Sequence, residues 1–268
     1  MRGQTEVLLA VAHSQAVQGS LLRAASVIAK FASVLVFQAD KPMTKLETAY
    51  KSIAAVRQKS DSCILFCSLG KDSLVLLDML YPRFERIVCV FMYFVEGLEH
   101  IERWVGWVKA KYPRIEFVQK PHWNLTYILR SGMYCVPQPD VKLLKLNDVI
   151  KAMRLKYGIE YVFLGMKKAD GMNRNLMLKG YEQHNYENNG LVYPLAEWTQ
   201  KDILAYMRQK KLPQPVRYSL KASSGVGFNL DCFLWLRENY PQDLDKIYKV
   251  FPMSERILWE YNEQHKVV

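Results

Sequence analysis

Short apolar runs alternate with amphipathic segments along the chain from residue 44 onward. The apolar runs predict five strands, and the most apolar of them suit a sheet that is buried on both faces; they lie at 63–67, 86–94, 115–120, 161–165 and 191–195. Between and after the strands, apolar residues at helical spacing predict helices at 44–59, 74–81, 97–111, 123–131, 141–157, 199–210, 230–239, 243–250 and 254–264. Residues 166–190 are expected to form a polar loop.

The alternation of strands and helices predicts a parallel sheet with right-handed crossovers. We therefore expect a three-layer α/β/α sandwich, Rossmann-like, around five mainly parallel strands in the order 3-2-1-4-5. Ligands bind such sheets at the carboxyl ends of the strands. Residues 43–215 are expected to form this domain, and a mostly helical C-terminal segment, 216–268, is expected to cover the site.

Residues 1–42 are richer in Ala, Val and Leu than the rest of the chain. Three interpretations stay open for them: helices packed on the domain, a membrane-surface helix, or an extension upstream of a functional start at Met43. Under the third interpretation, the segment that follows Met43 is the natural opening helix of the domain.

Charge and cysteine content narrow the classes of partner and cofactor. The 37 Lys and Arg against 26 Asp and Glu give a net charge of +11, which favours a polyanionic partner or a well-solvated basic surface. The five cysteines include no CxxC pair, so we expect reduced thiols in a cytoplasm, with neither an iron–sulfur cluster nor zinc. No run of 18 apolar residues occurs, and no membrane span is predicted.

The segment Ser68-Leu69-Gly70-Lys71-Asp72-Ser73 follows the first strand and leads into a helix. The N–H groups at a helix start attract anions, and the two hydroxyls and the lysine add donors and positive charge. The segment is therefore predicted to hold a phosphate, although ordinary helix capping by Asp72 or Ser73 is the alternative. It lacks the GxxxxGK[ST] spacing of a Walker loop.

Four ordered segments resemble one family. SLGKDS at 68–73 resembles the SGGxDS loop of the PP-loop (adenine nucleotide alpha-hydrolase-like) superfamily, with Leu69 in place of a glycine. The basic segment 165–174, the segment YPLAEWTQKDILAYMRQKKLP at 193–213 and, less closely, 218–232 are similar to segments of the phosphoadenosine phosphosulfate (PAPS) reductase family. The resemblance covers about residues 45–235.

The resemblance implies a nucleotide site at the strand ends. It assigns phosphate binding to the loop and to a neighbouring basic group, namely Ser68, Leu69, Gly70, Lys71, Asp72, Ser73, Gly165, Lys167, Lys168 and Arg174. Asp72 would hold Mg²⁺ with the phosphates or cap the helix, and adenine would lie near Met92 and Tyr93. The catalytic candidates are Lys71, Asp72, Lys167 and Arg174. Phe94–Gly97 stands where the family usually has Asp-Thr-Gly.

Three functions follow from this resemblance. We favour ATP with Mg²⁺ as ligand and cofactor, cleavage between the α and β phosphates, and adenylyl transfer to an acceptor. The alternatives are thiol-dependent PAPS reduction, with Cys232 as the reserve nucleophile, and a non-catalytic nucleotide-binding module of a nucleic-acid modification or defence system. A protein partner, a second copy and nucleic acid stay open as further partners; no membrane partner is expected.

Overall fold

A computed structural model describes residues 43–215, 218 and 227–265. Expectations for residues 1–42 and for most of the 218–232 segment therefore lie outside the described residues. The described helices belong to one compact unit, Lys45–Val268. In chain order they are α1 Lys45–Arg57, α2 Lys71–Leu80, α3 Glu99–Lys111, α4 Leu125–Ser131, α5 Leu146–Tyr157, α6 Met172–Lys179, α7 Gln200–Gln209, α8 Leu230–Asn239, α9 Pro241–Val250 and α10 Arg256–Gln264.

The described strands form one six-stranded sheet in the order β3-β2-β1-β4-β6-β5. All neighbours pair in parallel except β5 and β6. The strands are β1 Ser62–Phe66, β2 Arg86–Tyr93, β3 Ile115–Pro121, β4 Val162–Leu164, β5 Glu187–Asn188 and β6 Leu191–Val192. The predicted α/β sandwich and mainly parallel sheet are confirmed, and the predicted fifth strand is β6.

Two elements fall inside the segment predicted to be a polar loop. Helix α6 is one; its eight residues include only one that is buried, Leu178, so the apolar pattern is too weak to mark it. Strand β5 is the other, joined to β6 by Asn189 and Gly190 with φ of 51° and 73°. Asn-Gly with two positive φ angles is the preferred two-residue hairpin turn, a signal that was present in the sequence.

The sheet has a separate apolar cluster on each face. Alternate residues of β1 point to opposite sides, so Cys63 and Leu65 join one cluster and Ile64 and Phe66 the other. A third cluster contains residues of α8, α9 and α10 together with α4 and the start of α3. The described C-terminal helices therefore pack beside the carboxyl end of β2, because Phe94 and Val95 also belong to that cluster.

Candidate functional site

The loop between β1 and α2 contains a non-glycine residue in a left-handed conformation. Leu69 has φ of 60°, a region that costs an L-residue on the order of 1 kcal/mol and that favours glycine. Two contacts hold it there: its side chain is buried, 4% exposed, and the Trp104 indole N–H donates to its carbonyl at 3.0 Å. Contact with α3 thus stabilises a leucine in a conformation for which the family usually has a glycine.

We predict that Trp104→Phe weakens this loop. The ring remains in place but the hydrogen bond to the Leu69 carbonyl is lost, which is worth about 1 kcal/mol. Amide hydrogen exchange should accelerate at the start of α2 by roughly fivefold, about 1 kcal/mol. Trp107→Phe is the matched control, because Trp107 stacks on Trp104 at a centroid distance of 4.9 Å and has no described bond to the loop. Equal exchange in both variants would contradict the assignment.

Hydroxyl groups close the loop on itself. The Ser73 hydroxyl donates to the Gly70 carbonyl at 2.9 Å and lies 3.4 Å from the Ser68 hydroxyl, which accepts from the Gly70 N–H at 3.4 Å. Helix α2 begins at Lys71, and the first turn of an α-helix presents N–H groups without intrahelical partners. The loop therefore directs a helix start, with its positive dipole end, toward the carboxyl edge of the sheet.

Charges from two neighbouring strands meet at Asp72. The Lys71 ammonium lies 3.2 Å from its Oδ2, and the Lys167 ammonium lies 2.9 Å from its Oδ1. Lys167 also contacts Asp170 at 2.8 Å, and its side chain is only 4% exposed. The chain at Gly165 lies close to the loop, since a β-carbon there would be in van der Waals contact, at 3.4 Å, with the backbone of Asp72 and Ser73.

Not every residue assigned to the anion joins this group. The Lys168 ammonium contacts Glu182, and Glu197 at 2.5 Å, and Tyr186 at 3.1 Å. Burial alone would lower its pKa, but these hydrogen bonds raise it. These contacts hold the Lys168 ammonium beside Glu182 and Glu197, and its role at the anion stays a prediction. Arg174 is half-buried on α6, and its role at the anion stays a prediction.

A cavity of about 380 Å³ opens beside the loop, within the usual range for small-molecule sites. One side is formed by residues 68–72 of the loop. The other walls come from the carboxyl end of β2, the first turns of α3 and helix α7, and they are mostly apolar; they include Met92, Tyr93, Phe94, Ile101, Trp104, Leu204 and Met207. Lys167, Lys168 and Arg174 are not among its described lining residues.

His100 and Tyr218, which line the same cavity, form a buried polar chain with Asp243 that no sequence pattern predicted. His100 Nδ1 lies 2.7 Å from Asp243 Oδ2, and His100 Nε2 lies 2.8 Å from the Tyr218 hydroxyl. Asp243 also accepts the backbone N–H groups of Glu99 and His100, at 2.6 and 3.0 Å. The partners stand 118 and 143 residues apart in the chain, so no local pattern links them.

The His100–Asp243 pair should make the free energy of unfolding decrease on acidification. Burial lowers the pKa of His100 below 6.5, against the opposing pull of Asp243. The unfolded chain therefore binds the proton first, so the contribution is present above about pH 6.5 and is lost as pH falls through the folded-state pKa. We expect a smaller decrease in urea-unfolding free energy between pH 7.5 and 5.5 for His100→Gln than for the parent. An unchanged decrease would contradict this.

The thiols do not provide a nucleophile at the cavity. All five cysteines are buried and unpaired: Cys63, Cys67, Cys89, Cys135 and Cys232. Burial raises the pKa of each thiol. For Cys232, the reserve nucleophile, burial raises the pKa to about 11, although it lies at the start of α8. A thiol rather than a thiolate is expected there at neutral pH.

Comparison with known proteins agrees with this arrangement. Residues 62–219, more than half of the chain, match the phosphoadenosine phosphosulfate reductase domain. The chain belongs to this family. The predicted resemblance to the PAPS reductase family within the PP-loop superfamily is therefore confirmed.

Two curated relatives have the same function name. The adenosine 5′-phosphosulfate reductase of Geobacillus sp. (strain WCH70) is 26% identical over 168 residues, which are 60% of this chain and 69% of the relative. The enzyme of the same name from Geobacillus thermodenitrificans (strain NG80-2) is 24% identical with the same coverage.

Two solved structures are similar to this chain at low identity. The NH3-dependent NAD synthetase of Campylobacter jejuni, in complex with nitrate, is 12% identical with a TM-score of 0.45, over 85% of this chain and 98% of that chain. The U34-tRNA thiolase NcsA of Methanococcus maripaludis, with its 4Fe–4S cluster, is 14% identical with a TM-score of 0.40, over 82% of each chain.

The thiolase corrects the cofactor prediction. Within that prediction, which was ATP and Mg²⁺ with neither an iron–sulfur cluster nor zinc, the exclusion of a cluster was wrong, because the thiolase, a protein similar to this chain, holds a 4Fe–4S cluster. The described residues contain no group of three or more Cys, His, Asp or Glu side chains that could bind a metal ion, and by themselves they do not fit a cluster.

Within the described parts of the chain, no helix is long and apolar enough to span a membrane.

Proposed function

We propose that this PAPS reductase family protein binds ATP beside the Ser68–Ser73 loop and cleaves the bond between its α and β phosphates. The observation that carries the proposal is that the start of α2 and Lys71 form one wall of the cavity of about 380 Å³. The start of a helix favours anions. The apolar walls suit a purine, and the polar wall suits phosphate oxygens. The adenylyl group would pass to an acceptor, with water as the default.

The protein's part in this reaction is positioning and electrostatic. The acceptor oxygen or other nucleophile forms a bond to the α phosphorus while the bond to the bridging oxygen breaks, and pyrophosphate leaves with its electron pair. Negative charge grows on the departing group. Lys71 and the start of α2 are fixed before the reaction by Asp72 and by the Ser73 hydroxyl, so they would stabilise this charge without reorganising.

Reduction of adenosine 5′-phosphosulfate is the second candidate, because both curated relatives have that name. An enzyme cysteine must be a thiolate in order to attack the sulfur of adenosine 5′-phosphosulfate. The buried state and raised pKa of all five thiols favour the ATP reaction over this one.

Product analysis separates the two candidates. The full chain is incubated with ATP, and separately with adenosine 5′-phosphosulfate plus thioredoxin, and pyrophosphate and sulfite are measured. We expect pyrophosphate and AMP from ATP and no sulfite above the enzyme-free rate. Robust sulfite release that is lost on Cys232→Ser, without pyrophosphate from ATP, would make the second candidate the function.

A further inference from the structure

We propose that Tyr218 recognises the nucleoside part of the ligand by accepting a hydrogen bond from one of its donors, a ribose hydroxyl or the 6-amino group of adenine. His100 and Asp243 hold Tyr218 in the accepting orientation and are positioning residues. The inference rests on the proposed function, because it needs an adenine nucleotide in the cavity that Tyr218 lines.

Asp243, which is completely buried, determines which atoms donate along this chain of hydrogen bonds. Burial raises the pKa of this carboxyl, but hydrogen bonds from the backbone and ring of His100 and from the backbone of Glu99 outweigh it and lower the pKa below its usual value. The Lys246 ammonium, on the same helix, adds a contact at 3.4 Å. An ionised carboxylate only accepts hydrogen bonds. His100 Nδ1, at 2.7 Å, therefore bears the proton.

The tautomer of His100 then fixes the tyrosine. A neutral imidazole with its proton on Nδ1 has a lone pair on Nε2, and burial lowers the pKa of His100 so that the neutral form is favoured. The Tyr218 hydroxyl, 2.8 Å from Nε2, must donate to it. Aromatic rings pack around the imidazole and limit other arrangements: Trp235 lies 5.6 Å and Tyr240 5.5 Å from it between centroids.

The Tyr218 oxygen keeps acceptor capacity, and Tyr218 lines the cavity. Its hydrogen is used by His100, and no second hydrogen-bond partner for it is found among the described residues. Oxygens of a triphosphate are mostly deprotonated at neutral pH and act as acceptors, so they do not match such a group. The matching ligand group is therefore an N–H or O–H, and an adenine nucleotide has these on its ribose and its base.

Analogues that lack one donor each test this by calorimetric titration of the full chain. The ligands are ATP, 2′-deoxyATP, 3′-deoxyATP and the triphosphate of purine riboside, which lacks the 6-amino group. One analogue should bind about three- to tenfold more weakly than ATP to the parent, as expected for one neutral hydrogen bond. In Tyr218→Phe that difference should vanish, and which analogue it is identifies the donor. Tyr248→Phe, on α9 against Phe233, is the matched control and should keep the difference.

Two results would overturn the inference in distinguishable ways. If the parent binds ATP, and each analogue binds more weakly than ATP by the same factor in Tyr218→Phe as in the parent, only the inference fails. If the full chain binds no ATP, the proposed function fails with it. The isosteric Asp243→Asn tests positioning: a neutral amide no longer fixes the His100 tautomer, so discrimination should decrease although Tyr218 is intact. A folded Asp243→Asn protein with full discrimination would remove His100 and Asp243 from the inference.

Discussion

Lys71→Ala is expected to weaken ATP binding by roughly 10- to 100-fold, which corresponds to the loss of about 1.5–3 kcal/mol from one charge-assisted phosphate contact. Lys71 lines the cavity beside the helix start, and its ammonium is held near Asp72 at 3.2 Å. Calorimetric titration with ATP and with adenosine measures the effect. Adenosine affinity should change little, because it has no phosphate.

A matched control separates this contact from a change in net charge. Lys151→Ala removes the same charge from an exposed position on α5 and should leave ATP affinity within about twofold of the parent at physiological salt. Equal ATP affinity in Lys71→Ala and the parent would contradict the assignment of the loop as the phosphate site.

Lys167→Met is expected to lower the free energy of unfolding by about 2–4 kcal/mol. The Lys167 side chain is 4% exposed and lies between the carboxylates of Asp72 and Asp170, at 2.9 and 2.8 Å. Methionine fills much of the same space but leaves both carboxylates without this partner. The loss is expected below that of a fully buried pair, because Asp170 is 37% exposed. Urea unfolding followed by circular dichroism measures it.

Lys168→Met is the comparison for this prediction. Its acidic partners, Glu182 and Glu197, are 46% and 38% exposed, and partly exposed ion pairs contribute about 0–1 kcal/mol. We therefore expect a clearly smaller loss than for the neighbouring lysine. Equal losses in the two variants would contradict the distinction between a buried lysine that supports the loop and a lysine that pairs at the surface.

The sheet and the loop were predictable because their signals are local. A continuous apolar run such as 63–67 marks a buried strand, and the alternation with helices fixes parallel pairing. The position of the loop directly after the first strand allowed its role to be predicted. Because β4 is the neighbour of β1 in the sheet, the segment after β4 lies beside the loop, as the Lys167–Asp72 contact shows. Helix α6 was missed because it buries only Leu178.

The remaining parts of the site depend on contacts between distant segments. Glu182 precedes and Glu197 follows the β5–β6 hairpin in the sequence. Nothing in the sequence near Lys168 therefore indicates that these two carboxylates pair with its ammonium. The His100–Asp243 contact joins α3 to α9 across 143 residues. A histidine in an amphipathic helix has no pattern that would reveal such a partner, and its role emerges only when the C-terminal helices pack beside β2.

The ligand that raises the melting temperature most is the direct test of the central claim, which is ATP binding at the loop. The full chain is heated with ATP, adenosine 5′-phosphosulfate, PAPS and adenosine at equal concentration, beside Lys71→Ala. At about 100 times the dissociation constant, binding adds roughly 2.7 kcal/mol, or about 5–10 °C for a chain of this size. We predict the largest rise with ATP, little with adenosine, and a much smaller ATP rise in Lys71→Ala. An equal rise with adenosine, or a larger rise with adenosine 5′-phosphosulfate than with ATP, would contradict the claim.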